Sequence, residues 1–350
     1  ARLMGPAAFA DLTLLLTLKL GLLSFLGALQ FAVSEQSAKS QDITASKTQA
    51  KTFSAWSLKV SIPLMFAFIA CSNYISAALN FSSPLALCLL ALALPFFLPM
   101  IIYRGLTQGL IDVPKIVFSI QAEWIIRLFG SLLLWKMGFG LPGIAVAVGM
   151  SIAAGFIFST DKTDLAAPSS IKSAQSQAHI KALGNTALPY LILQMAQVLV
   201  LDSDIIIAKA VFTPQTAGLV AGLLLIQRVF FFAFLSCSMI LQPLVAKQAH
   251  SKIKVTDKTP KELLTLLGAI AIITLGALIV IIPNSDLIVR IMLGSEYLDL
   301  SAIVWISALT GAVFICSHLC AIHQIAQGRK FAAKVVFGFG IFQLISLVSV

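Results

Sequence analysis

LPYLILQMAQVLVLDSDIIIAKAVFTPQTAGLVAGLLLIQRV, residues 188–229, holds one apolar run of about twenty residues and the start of a second, which continues to about 241, joined by the short connection KAVFTPQT at 209–216. The hydrocarbon core of a bilayer is about 30 Å thick, so a helix needs about 20 mostly apolar residues to cross it. In lipid every backbone N–H and C=O needs an internal partner, which predicts helices for runs of this length. Each run here fits one crossing, and the connection is too short for anything but a turn between antiparallel spans.

Working outward, the same pattern predicts ten spans, at about 9–33, 58–79, 84–102, 116–135, 141–158, 183–207, 217–241, 263–282, 302–326 and 333–350. The gaps between them sort charge. Lys39, Lys47, Lys51 and Lys59 share one gap, Arg104 and Lys115 another, and Lys162, Lys172 and Lys181 a third. Lys247, Lys252, Lys254, Lys258 and Lys261 follow, then Arg329, Lys330 and Lys334. These are 17 of the 24 Lys and Arg residues, all in every second gap. The intervening gaps hold only Arg2, Lys136, Lys209 and Arg290. Cytoplasmic loops carry the basic excess, so the rich side is inside and Ala1 is outside. The expected location is a bacterial inner membrane.

Composition agrees. The chain is 59% hydrophobic and 11% charged, with a mean hydropathy of +0.98. A soluble domain carries about 25% charged residues. The net charge of +10 is dispersed over five short loops, which fits anionic phospholipid headgroups and not nucleic acid. The five cysteines lie in apolar runs and imply no disulfide framework. CSHLCAIH at 316–323 matches no usual zinc spacing, so no metal is expected. RGLTQG at 104–109 is expected as a tight inner turn, and no phosphate loop or nucleophile–base arrangement is present. No enzyme activity and no cofactor is expected. Pro63, Pro95, Pro99, Pro142 and Pro189 are expected to bend helices, and DLIVRIML at 286–293 to lie along the outer interface.

LTQGLIDVPKIVF at 106–118 aligns with IAQGRKFAAKVVF at 325–337, and ARLMGPAAFADL at 1–12 resembles AKAVFTPQTAGL at 208–219. Both pairs have matching topology, which predicts two parallel repeats of six spans, a transporter plan with its site between halves. The expected limits are an N-lobe at 1–160, a cytoplasmic linker at 161–181 and a C-lobe at 182–350. On that count one helix precedes Ala1, and the chain, which stops inside an apolar run, is expected to be a piece of a longer one.

These segments carry a resemblance. ARLMGPAAFADLTLLL with GLLSFLGALQFAV is similar to the loop and second helix of polysaccharide-export (Wzx-type) flippases of the multidrug/oligosaccharidyl-lipid/polysaccharide (MOP) superfamily. The 188–229 stretch resembles that family's seventh and eighth helices, with Asp202 matching its seventh-helix Asp. QPLVAK and IMLGSEYLDLSAIVWI resemble later segments. One departure is SEQ at 34–36, where many members carry an Arg. The resemblance implies an all-α polytopic membrane protein, two pseudo-repeated six-helix lobes around a central cavity. It implies alternating-access transport of a polyprenyl-diphosphate-linked oligosaccharide for surface polysaccharide synthesis. A polysaccharide polymerase and glycosyltransferases are the implied protein partners.

Ionisable groups near a bilayer centre cost about 2.5–3.5 kcal/mol each on insertion scales, so each needs a reason. Lys19, Arg127 and Arg228 lie midway along their spans. Glu123 is four residues before Arg127 and on the same helical face. That pair self-neutralises, which leaves Lys19 and Arg228 expected without counter-charge. A cavity lined by Arg228, Lys19, Arg127 and Glu123 would suit a diphosphate, because the guanidinium fork binds two oxygens. The competing reading is interhelical pairing, or a snorkelling Lys19. The stripe Thr13, Thr17, Gly21 and Ser24 marks a helix contact on the face opposite Lys19. Asp202 and Asp204, near an outer end, are either solvated end residues or a site for a coupling H+ or Na+. His318 and His323 are expected in helix contacts. The alternative function is a cation-coupled multidrug exporter of the same superfamily, which should favour acidic cavity residues. A membrane glycosyl polymerase or ligase, the third class, needs a sizeable outer loop that this chain lacks.

Overall fold

A computed structural model describes residues 4–40, 42–160, 173–250 and 258–348, with side chains at 4–40, 42–160, 180–246 and 263–347. The described chain is helical, with no strand: α1 (Gly5–Lys39), α2 (Ile43–Ala78), α3 (Pro84–Ala91), α4 (Leu94–Gly109), α5 (Val113–Lys136) and α6 (Gly140–Ser159). Then come α7 (Ser173–Val211), α8 (Pro214–His250), α9 (Lys258–Ile281), α10 (Ser285–Met292), α11 (Val304–Ala326) and α12 (Phe331–Val348), with a 3-10 turn at Ser295–Leu300. Among the described residues eight helices are long and apolar enough to cross a membrane, and α3 and α4, bent at a break, are apolar enough together to form a broken span or a re-entrant loop. The apolar helix Phe331–Leu347 is shorter. Nine of the ten expected spans fall on single helices over their described residues, and the chain is a multi-pass membrane protein.

The span expected at 84–102 is not one helix. It breaks at Leu92 and Ala93, and the two pieces meet at 47°. Pro95 explains the position: a proline ring clashes with the carbonyl four residues earlier, and that residue is Ala91, the last of α3. Pro63, Pro99 and Pro189 lie within continuous helices. Pro142 does not interrupt a helix; it sits in the first turn of α6, where its missing N–H has no partner to lose. RGLTQG is likewise no turn. It forms the last residues of α4, all of them buried, and the chain reverses only at Ile111, with φ +58°. The aligned copy behaves in the same way: α11 ends at Ala326, Gly328 takes φ +85°, and α12 starts at Phe331. DLIVRIM is the helix α10, with Val289 buried and Leu287 and Ile291 exposed.

By contacts the chain forms two compact units, Leu22–Leu191 and Ala1–Gly21 with Ile192–Val350. Both α1 and α7 contribute to each. The expected linker at 161–181 lies outside the described residues up to 172, and Ser173–Lys181 forms the first turns of α7. In the Leu22–Leu191 unit an apolar core of Val33, Phe53, Ile102, Tyr103, Leu106 and Leu183 joins α1, α2, α4 and α7. Glycine brings α4 close to α1: a Cβ on Gly105 would lie 2.6 Å from the Gln30 carbonyl oxygen, and one on Gly109 2.5 Å from that of Ser34. This small-xxx-small spacing lets backbones approach in membranes, where van der Waals packing drives association.

The other unit has three apolar clusters among its described residues, the smallest of Ala10, Ala208 and Ala217. Phe9, Ile205, Leu224, Leu293 and Tyr297 are in a second; Phe231, Phe314, Ile315 and Leu319 are in a third. Burial pushes the Tyr297 phenol up to about 12, with Glu296 adding to the shift. Gly311 on α11 is the tightest contact, since a Cβ there would sit 2.2 Å from the Gln227 carbonyl oxygen on α8. Gly311→Val must force these helices apart and is expected to destabilise by about 1–3 kcal/mol, the usual cost of overpacking. A lowered unfolding temperature of the detergent-solubilised protein would show it; an unchanged one would mean that the helices can separate freely.

Candidate functional site

Several of the deep charges are held in ion pairs, and each unit has such pairs. In the Leu22–Leu191 unit Glu123 on α5 receives two arginines. Arg127 Nη2 is 3.4 Å from Glu123 Oε1, the i,i+4 pair that helix periodicity predicts. Arg104 Nη1 donates to Glu123 Oε2 at 2.9 Å. Its Nε and Nη2 donate to Ser119 Oγ and the Ser119 carbonyl at 2.9 and 3.0 Å. Ser119 Oγ passes a hydrogen bond on to the Gly155 carbonyl at 2.7 Å. Gly155 leaves the room, since a Cβ there would lie 2.8 Å from Arg104 Nη2. The cluster carries one net positive charge. Arg127 is its most exposed member, with its guanidinium 4.9 Å above the ring of Trp124.

In the other unit Arg228 on α8 donates through Nη2 to Asp202 Oδ1 on α7 and to Thr17 Oγ1 on α1, both at 2.6 Å. A third, longer contact of 3.4 Å reaches the Leu201 carbonyl. Arg228 Nε is buried with no hydrogen-bond partner among the described residues. Arg228 is therefore not without counter-charge, and Asp202, buried at 3% exposure, is not a solvated end residue. Lys19 is also buried, at 2%, so α1 is covered on that face as well as along Thr13, Thr17 and Ser24.

Asp204, two residues beyond Asp202, points elsewhere on α7, because two residues turn a helix through about 200°. It accepts from Gln343 Nε2 of α12 at 3.2 Å and lines a cavity of about 230 Å³. Gln227, Ser307, Thr310 and Gln343 supply its polar wall, and Leu223, Leu224 and Ile306 are among its apolar residues. The expected grouping thus resolves into three places: Glu123 with Arg127, Arg228 with Asp202, and Asp204 by itself at the cavity.

Besides Arg228–Asp202, other pairings lie outside the sequence-based expectation. Arg104, assigned to an inner gap, is the second partner of Glu123. Lys209, assigned to an outer connection, makes a buried ion pair with Asp11 at 2.7 Å. At the other end of α1, Glu35 accepts from Tyr190 Oη at 2.8 Å and pairs with Lys39. Only the i,i+4 rule could have found any of these, and it reaches Glu35–Lys39 alone. His318 lies against Phe231 and Phe314 at ring distances of 5.6 and 6.2 Å. Among the described residues no three His, Cys, Asp or Glu side chains form a metal-binding group.

The arrangement is that of a multi-pass helical membrane protein with paired charge at depth. No model of a known family matches the sequence, and no curated protein does. Solved structures do. A eukaryotic MATE transporter, AtDTX14, aligns with a TM-score of 0.71 at 12% identity, over 93% of this chain and 80% of that one. A MATE protein in complex with MaD3S aligns at 0.68 and 12% identity, over 99% and 90%. A MOP superfamily transporter from Pyrococcus furiosus aligns at 0.63 and 13%, over 98% and 89%. The fold is that of the MATE transporters of the MOP superfamily.

Proposed function

We propose that the protein is a secondary transporter that flips a polyprenyl-diphosphate-linked oligosaccharide across the bacterial inner membrane by alternating access. The observation that carries this reading is the sign of the charge held at depth. Two arginines, Arg104 of α4 and Arg127 of α5, converge on the single carboxylate of Glu123, which leaves one positive charge in excess midway along α5. A positive excess at depth attracts diphosphate and repels organic cations. The segments similar to polysaccharide flippases support the same substrate class. MATE fold and substrate polarity are separable: the Pyrococcus furiosus transporter is described as having a binding pocket of reverse polarity that suggests a different function.

The second reading, a cation-coupled multidrug exporter, is favoured by one observation. The cavity beside Asp204 joins a carboxylate to apolar walls, which suits an amphiphilic cation. Under the first reading the same Asp204 is the group assigned to a coupling H+ or Na+, since Asp202 is engaged by Arg228.

Purified protein in proteoliposomes separates the two. A fluorescent polyprenyl-diphosphate-linked trisaccharide should become accessible on the opposite leaflet, and an imposed ion gradient should not drive ethidium across. Ethidium transport with a stationary glycan lipid would overturn the proposal in favour of the exporter.

A further inference from the structure

The exposed surface of α5 is divided lengthwise. One arc, with Phe118, Ile125, Phe129 and Leu132, is apolar, as hydrocarbon contact requires. The adjoining arc holds Gln121, Trp124, Arg127, Ser131 and Trp135. At 3.6 residues per turn these five fall within about a third of the circumference and run along about 20 Å of the helix. Trp124 is 56% exposed, Gln121 is exposed, and Arg127, Ser131 and Trp135 are partly so. Val117 and Leu128 interleave with them, so the arc is amphiphilic and not simply wet.

An amphiphilic strip that carries a guanidinium and an amide is out of place against lipid tails. Arg127 is midway along its span, beyond the ordinary reach of annular headgroups, and a charge there needs a polar neighbour. Glu123 supplies only part of it, because Arg104 takes the other oxygen of that carboxylate and leaves the cluster one positive charge in excess. The side chains left at the surface suit a particular ligand. A guanidinium binds phosphate oxygens through its fork, an indole face stacks on the apolar face of a pyranose, and Gln and Ser bond hydroxyls. We infer that the Gln121–Trp135 strip of α5 contacts the diphosphate–glycan head of the lipid-linked substrate during its passage, with Arg127 at the diphosphate and Trp124 at the sugar. This rests on the flippase reading and names the residues that would select its substrate.

Cysteine accessibility tests it without disturbing the ion pairs. In a variant with Cys71, Cys88, Cys237, Cys316 and Cys320 replaced by Ala, Ser131→Cys is compared with Phe129→Cys in proteoliposomes. A membrane-impermeant maleimide should label Ser131→Cys and spare Phe129→Cys. The polyprenyl-diphosphate-linked trisaccharide should protect Ser131→Cys, whereas phosphatidylglycerol should not. Trp124→Leu, which keeps Arg127 on Glu123, should slow glycan translocation about tenfold, on the scale of one lost contact of about 1.4 kcal/mol, with its unfolding temperature unchanged. If the unsubstituted protein moves the glycan but Ser131→Cys is unlabelled, a lipid-tail or protein contact covers the strip and this inference alone fails. Labelling that phosphatidylglycerol blocks equally, or full transport by Trp124→Leu, overturns it as well. A wild-type protein that does not move the glycan overturns both readings.

Discussion

Glu123→Ala is expected to leave little folded protein in the membrane. The substitution strands Arg104 and Arg127, whose side chains are only 7% and 17% exposed, beside each other with no carboxylate between them. Removing one partner of a buried ion pair costs about 3–5 kcal/mol in soluble proteins, chiefly because the remaining charge stays desolvated. Here two charges remain, and they repel. A loss of that size is comparable with a domain's whole margin of about 5–15 kcal/mol. Size-exclusion chromatography of detergent extracts should show a collapsed monodisperse peak, and any residual protein should unfold at a much lower temperature. Glu123→Gln combined with Arg104→Gln removes one charge of each sign and should recover most of the peak. A monodisperse Glu123→Ala protein of normal thermal stability would mean that water or lipid phosphate already serves both arginines.

The second large effect concerns Arg228, and it must be read in two steps. Arg228→Ala alone is expected to destabilise, because it leaves the buried Asp202 carboxylate without the guanidinium that donates to it. Loss of transport in that variant would therefore say little about substrate. Arg228→Ala with Asp202→Ala is neutral in charge and should regain stability, with a coupling energy of about 0.5–3 kcal/mol between the two sites in a thermal double-mutant cycle. If Arg228 reads the diphosphate, the double variant is folded and fails to translocate the glycan lipid. A folded double variant with full transport would reduce the pair to scaffolding and move the substrate contact elsewhere, with Arg127 the next candidate.

These expectations show which parts of the site were visible in one dimension. Glu123 and Arg127 were found together because helix geometry puts residues four apart on one face. Arg228 was found as a charge in an apolar run, but its partner was not, since Asp202 stands 26 residues away on the neighbouring helix. Asp202 and Asp204 share one expected role as end residues or coupling-ion ligands, yet helical rotation sends one to Arg228 and the other to the cavity with Gln343. Arg104 shows the limit of the charge count. It was placed in a loop because a basic residue follows each odd span, whereas α4 continues past it to Gly109 and tucks the guanidinium under Gly155.

The helical character of the apolar runs and the sidedness assigned to their loops follow from local chemistry. An unsatisfied peptide group in hydrocarbon admits no other structure, and each span is long enough to declare itself. The partners of the buried charges are another matter. Asp11 meets Lys209 across 198 residues, and Thr17 meets Arg228 across 211. Coulomb attraction depends on distance in space, and no periodicity along the chain encodes which helix will stand beside which. The packing of α1 against α7 and α8 decided those pairs, and with them which charges are left to meet a substrate.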